Sequence, residues 1–233
     1  MTPKYDGIKY YRICNNTLDN YVEMLKRLQR RKSFTSFVLV YYSVALIILP
    51  LTTLYFPKYL NKTIIDYSSI AISICILACS LTIQNVKYSE RILAATKVVN
   101  SLKTIKRDIY NLEGSDLTEK VKTYYSITDT AEQRADIDFF KNLCHNSKLY
   151  GINIFSRELS DKGKTAINNS SKEDKEKAET AVKSIQEHLC EMNVYYQLSK
   201  SILEYVIYFI IVILPIIVLI LSRANKDFSF LPK

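Results

Sequence analysis

Three stretches of this chain carry no charged side chain: residues 34–56, 67–86 and 205–222, of 23, 20 and 18 residues. At about 1.5 Å of rise per helical residue, each can reach across a hydrocarbon core of roughly 30 Å, the third only just. Pro50 predicts a kink in the first stretch and Pro215 falls midway along the third. Tyr55, Phe56 and Tyr59 stand where an interfacial aromatic belt belongs.

Beyond Val86 charged residues enter without a proline or glycine, and Val98, Leu102, Ile105, Ile109 and Leu112 recur at intervals of four and three. That is the repeat of one helix face against a partner, so one long helix is predicted over residues 67–112. Glu113-Gly114-Ser115-Asp116 ends it. Leu117, Val121, Tyr124, Thr128, Ala131 and Ala135 then mark a second amphipathic helix, antiparallel to the first because the turn is short. From 143 to 171 the repeat fails and Asn, Ser and Gly are frequent, which predicts a loop. Ile152, Ile154 and Phe155, between Gly151 and Gly163, form its candidate partner-docking patch. Ser170-x-x-Glu173 matches a capping box. The helix it opens carries Ala178, Val182, Ile185, Leu189, Met192, Tyr196 and Leu203 on one stripe and leads directly into the third apolar stretch. Near the start, Thr17-Leu18-Asp19 can open a helix bearing Val22, Leu25 and Leu28.

The expected fold is all-α: an integral membrane protein with three transmembrane helices and a long antiparallel helical cytosolic stalk. Only 4 Gly and 5 Pro in 233 residues agree with it. Four segments follow: a basic cytosolic segment, 1–33; a two-helix membrane hairpin with its stalk helix, 34–112; a second stalk helix and loop, 113–171; and a stalk helix running into the third membrane helix and a short tail, 172–233. The apolar core begins too far from Met1, and is too long, for a cleavable signal.

The net charge of +9 suggests nucleic acid until it is divided. Residues 1–33 hold eight Lys/Arg against three Asp/Glu, whereas 87–204 hold nineteen against eighteen. A nearly neutral centre makes direct nucleic-acid binding an unfavoured function. The excess lies in Lys26, Arg27, Arg30, Arg31 and Lys32, beside the first apolar stretch, where contact with anionic lipid headgroups is expected. Eleven Lys/Arg flank the apolar stretches on the side of the N-terminus and centre and five on the other, so the N-terminus and central region are expected in the cytosol and the tail outside. Five scattered Cys argue against a disulfide framework and fit a reducing compartment.

No Gly-rich phosphate loop, His-Glu-x-x-His, Cys-x-x-Cys or Gly-x-Ser-x-Gly occurs. Cys144-His145 and His188-x-Cys190 have four possible zinc ligands but no common zinc spacing. No catalytic residue, cofactor or metal site is expected, and an enzyme is not. In the second apolar stretch Ser69, Ser73, Ser80 and Gln84 fall near one helix face, beside a stripe of Ala71, Cys75, Ala78 and Thr82. These polar residues are candidates to line a pore or to pack helices within a homo-oligomer. No Asp, Glu, Lys or Arg lies in any of the three stretches, so proton relays and voltage sensors are disfavoured.

Leu25-Lys-Arg-Leu-Gln-Arg-Arg before the first stretch, Asn85-Val-Lys-Tyr-Ser-Glu-Arg after the second, and residues 102–112 of the following helix resemble the SLATT family of bacterial two-helix membrane effectors. Ile92 stands where such proteins often have a small residue. The resemblance implies a membrane effector of anti-phage systems, silent until a partner senses infection, then disrupting the inner membrane. It also implies partners: cyclic-oligonucleotide synthases, nucleotide-sensing proteins or, for the branch with an extra C-terminal hydrophobic helix, a reverse transcriptase. The alternative is a membrane-anchored scaffold or regulatory subunit that binds such an enzyme without forming a pore.

Overall fold

The computed structural model describes residues 7–110, 112, 114–169 and 171–229, without the side chains of 172, 173 and 225–229. The protein is all-α: α1 (Gly7–Tyr55), α2 (Lys62–Val86), α3 (Tyr88–Ile109), α4 (Gly114–Thr130), α5 (Asp136–Tyr150), α6 (Asp161–Asn168), α7 (Lys172–Glu191) and α8 (Val194–Ser229). Three helical spans, in α1, in α2 with α3, and in α8, are long and apolar enough to cross a membrane. The chain forms two compact units, each assembled from separated segments: residues 1–27 with 92–202, and 28–91 with 203–233.

In the first unit the early part of α1 is the central strut. Tyr11 meets Tyr110 edge-on, Lys106 bonds Asn15, and the Cys14 thiol donates to the Leu102 carbonyl, so α3 runs antiparallel to α1. Thr17 and Tyr124 share a hydrogen bond of 2.8 Å, which brings α4 against α1. Leu102, Ile105 and Ile109 of α3 and Leu117, Val121 and Tyr124 of α4 are all buried, as the four-and-three spacing predicts. Lys120 reaches back to Asp108 at 2.7 Å, tying the two helices across their short turn.

Residues 143–171 are a loop only in part: they take in the end of α5 and all of α6, with a turn over residues 151–160 between them. Residues 136–150 form α5, with Ile137, Phe140 and Leu143 in a core completed by Val182, Ile185 and Leu189 of α7. Asp138 hid this helix: its carboxylate stands in an apolar row yet is fully buried, accepting Arg27 from α1 at 2.7 and 2.9 Å and the Ala135 amide at 3.1 Å. After Gly151, which closes α5 at φ 70°, Ile152 pairs with Leu159 in an isolated antiparallel bridge that leads to α6. The capping box proposed at Ser170 lies outside the described residues. The α7 N-cap is Ser171, whose hydroxyl accepts the Asp174 amide.

Two predicted helices are each broken once. Lys87 adopts a left-handed conformation (φ 48°, ψ 45°) and separates α2 from α3. Met192 is extended (ψ 137°) and ends α7, and Asn193 then accepts the Tyr196 amide to start α8. An asparagine side chain is a preferred N-cap, because it supplies an acceptor to a free helix amide. The break shifts the phase of the helix, so Tyr196 and Leu203 are exposed rather than continuing the α7 stripe.

In the second unit, α1 from Leu28, α2 and α8 from Leu203 pack as three helices around Val38, Tyr42, Leu49, Leu60, Ile65 and Ile72. Arg31 meets Glu204 and Tyr42 meets Ile211, so α1 and α8 run in the same direction. Asn61, at the start of α2, exchanges hydrogen bonds with Ser222 of α8, so α2 runs opposite to both. The outward faces of these helices are covered with exposed Ile, Leu, Val and Phe, such as Val40, Ile47, Ile74, Phe209 and Ile220. Such a surface suits lipid and not water.

Candidate functional site

Two regions of the second unit carry polar side chains on membrane-length helices. The first is α2. Ser69 and Ser80 are half-buried at the flank of its packed ridge, and the Ser69 hydroxyl donates to the Ile65 carbonyl one turn back. Ser73 and Gln84 are exposed, as are Ala71, Cys75, Ala78 and Thr82. Within one chain, therefore, the polar candidates and the small-residue stripe point largely away from α1 and α8.

The second region gathers where the basic segment of α1 meets the start of the apolar part of α8. Arg31 donates to Glu204 at 3.0 Å, and the Tyr208 hydroxyl donates to the same carboxylate oxygen at 2.8 Å. Arg30 donates to the Tyr205 hydroxyl at 2.8 Å, with its guanidinium 5.2 Å from that ring centre, and Phe34 stacks on Tyr208 at 3.7 Å. Burial alone would raise the Glu204 carboxyl. Hydrogen bonds from Arg31 and Tyr208 and the charges of Arg31 and Arg30 outweigh it, and the carboxyl lies below its usual range.

The basic cluster thus divides by role. Lys32 is exposed, and Lys26 is exposed while paired with Glu23 at 2.6 Å. Arg27 is a correction to the expected lipid contact: its guanidinium is buried on Asp138, because a long side chain on the inward face of α1 meets the one carboxylate in the apolar row of α5. Arg30 and Arg31 are engaged with α8.

The docking patch is also corrected in part. Ile152 is buried in the α5–α7 core and Ile154 packs against it, because the bridge to Leu159 folds the turn inward. Phe155 remains exposed, beside the still more exposed Tyr195 of α8 with ring centres 5.6 Å apart. Sequence reasoning missed Glu204, Tyr208 and the Tyr41–Tyr42 pair. The available signal was a lone glutamate immediately before an uncharged run, a position that asks for a cation from a neighbouring helix.

A family model described as SMODS and SLOG-associating 2TM effector domain family 5 matches residues 10–221, a range that takes in segments of both units and the apolar part of α8. No curated protein and no solved structure matches the chain. The α1–α2 hairpin supplies two membrane-length helices of the kind that description counts, and with nine-tenths of its length matched, the chain belongs to this SLATT family of membrane effector domains.

Proposed function

We propose that this chain is the effector of a bacterial anti-phage defence system, an oligomer in the inner membrane that permeabilises it when a partner delivers the trigger. The single observation that carries the reading is α2, a membrane-length helix whose Ser73, Gln84 and neighbouring small residues are exposed in the chain by itself. Small residues let helices approach closely in lipid, and hydroxyl and amide groups facing lipid are costly until another helix or water satisfies them. Several copies joined along this face bring Ser73 and Gln84 to a shared axis. Both α1 and α8 contribute residues to each unit, which offers a mechanical route from the first unit, where a partner would bind, to the membrane helices. The partner is a nucleotide-signalling enzyme or a reverse transcriptase, and the chain itself performs no chemistry.

The test is induced expression with the neighbouring genes present and a membrane-potential dye in the medium. Depolarisation on triggering is expected; an unchanged potential in infected or induced cells overturns the proposal. A pore-free scaffold that recruits the same class of enzyme is favoured by one observation, the exposed Phe155–Tyr195 ring pair beside the α7–α8 break. Stable co-purification of the enzyme with no change in potential selects that reading instead.

A further inference from the structure

In the second unit, α1, the second half of α2, the first residue of α3 and α8 enclose a groove of about 340 Å³ where the three uncharged stretches give way to charged residues. Its walls include Val38, Cys79 and Ile211, and its mouth holds Arg31, Tyr88 and Glu204. Arg31 precedes the first uncharged stretch, Tyr88 follows the second and Glu204 precedes the third, so the mouth lies at the headgroup level of a bilayer that these helices cross.

The charges at this level do not balance. Glu204 is the carboxylate for both Arg31, at 3.0 Å, and Arg30, at 3.7 Å, which leaves one positive charge in excess. Arg31 lines the mouth and is half-exposed there, whereas Arg30 bonds Tyr205 outside the lining. Two guanidinium groups on one carboxylate favour a second anion nearby, and Arg31 is the one that a ligand in the groove can reach. The apolar walls have the complementary need: a void at membrane depth forfeits dispersion contacts, and the bilayer offers hydrocarbon to fill it.

A molecule that meets both needs has an anionic head and an acyl chain. We infer that the groove binds one anionic phospholipid, its acyl chain along Val38, Cys79 and Ile211 and its phosphate held by Arg31 and the Tyr88 hydroxyl. The site requires only that the second unit lie in a membrane, and it is independent of pore formation. It gives the third helix a lipid-dependent bond to the hairpin, since the phosphate completes the cluster that joins Glu204 to α1.

The experiment is native mass spectrometry of the full chain purified in mild detergent, followed by exchange with phosphatidylglycerol or phosphatidylcholine. One retained phosphatidylglycerol per chain is expected, favoured over phosphatidylcholine by about tenfold, the scale of one charge-assisted hydrogen bond. Ile207→Trp and Thr82→Trp each fill the groove from an exposed position and should release the lipid while the circular dichroism spectrum is unchanged. Arg31→Gln should remove the headgroup preference and leave a lipid bound. Equal retention of the two lipids by the native chain overturns the inference, as does retention untouched by both tryptophans. Displacement by millimolar inorganic phosphate would make it a free-phosphate site, and tryptophans that alter subunit number instead of lipid count would make it a contact between copies; either result overturns it.

Discussion

The Tyr42 hydroxyl donates to the Ile211 carbonyl at 2.8 Å, and Ile211 stands four residues before Pro215 in α8. A proline at that position has no N–H to offer Ile211, so the carbonyl would otherwise be unpaired in an apolar setting. Tyr41 serves the next carbonyl, Val212, at 2.9 Å. Two successive tyrosines of α1 thus occupy the gap that the proline opens, and the third membrane helix is fixed in register by its own defect.

Tyr42→Phe should therefore lower the thermal stability of the detergent-solubilised chain. Hydrogen bonds between membrane helices are worth about 0.6 kcal/mol on average and up to about 1.7, and this one belongs near the upper value because its acceptor has no helical donor. In a Pro215→Ala background, where the helix supplies the donor, the same substitution should cost less. A double-mutant cycle read by melting temperature checks this, and equal costs in the two backgrounds would refute the argument.

Arg27 and Asp138 form a buried two-bond ion pair between α1 and α5. Removing one partner of such a pair leaves an uncompensated buried charge and costs about 3–5 kcal/mol. Asp138→Ala or Arg27→Met should thus unfold the first unit at growth temperature, seen as protease sensitivity between α4 and α7. The combined Arg27→Met, Asp138→Leu chain should recover most of the loss.

The Glu204 carboxyl titrates lower in the folded chain than its ordinary value of 4.5. Folding therefore gains stability from it at every pH above that value, and the gain disappears as pH falls through the lower folded value. The melting temperature should decline more steeply below about pH 4.5 in the native chain than in Glu204→Gln, which lacks the group. Coincident slopes would show that the ion pair with Arg31 adds nothing.

Thiol reactivity should separate the cysteines by environment. Burial pushes the Cys14 thiol up to about 11 against the pull of Lys106, and burial pushes Cys144 up to about 11 as well. Both should resist maleimide at neutral pH in the folded chain, because the thiolate is the nucleophile. Cys190 is exposed and should react within minutes. Mass spectrometry of the labelled chain reads the order directly.

Ser73→Leu with Gln84→Leu should abolish depolarisation in triggered cells while leaving membrane insertion and expression unchanged, since both side chains are exposed in the single chain. Persistent depolarisation would place the conducting path elsewhere.

The amino-acid order alone determined the elements whose signal is additive along the chain. Uncharged runs of membrane length specify α1, α2 and α8, and the four-and-three spacing of Leu102, Ile105 and Ile109 against Leu117 and Val121 specifies the antiparallel α3–α4 pair. Length and periodicity need no knowledge of the partner. The breaks at Lys87 and Met192, the helix hidden by Asp138, and the division of the basic cluster were decided by tertiary structure. Lysine is no signal for a left-handed residue, and a carboxylate in an apolar row breaks the pattern until an arginine 111 positions away is placed against it. Arg27, Arg31 and Lys32 are alike as local basic residues; what separates them is which one faces a carboxylate on another helix, and only three-dimensional packing assigns that.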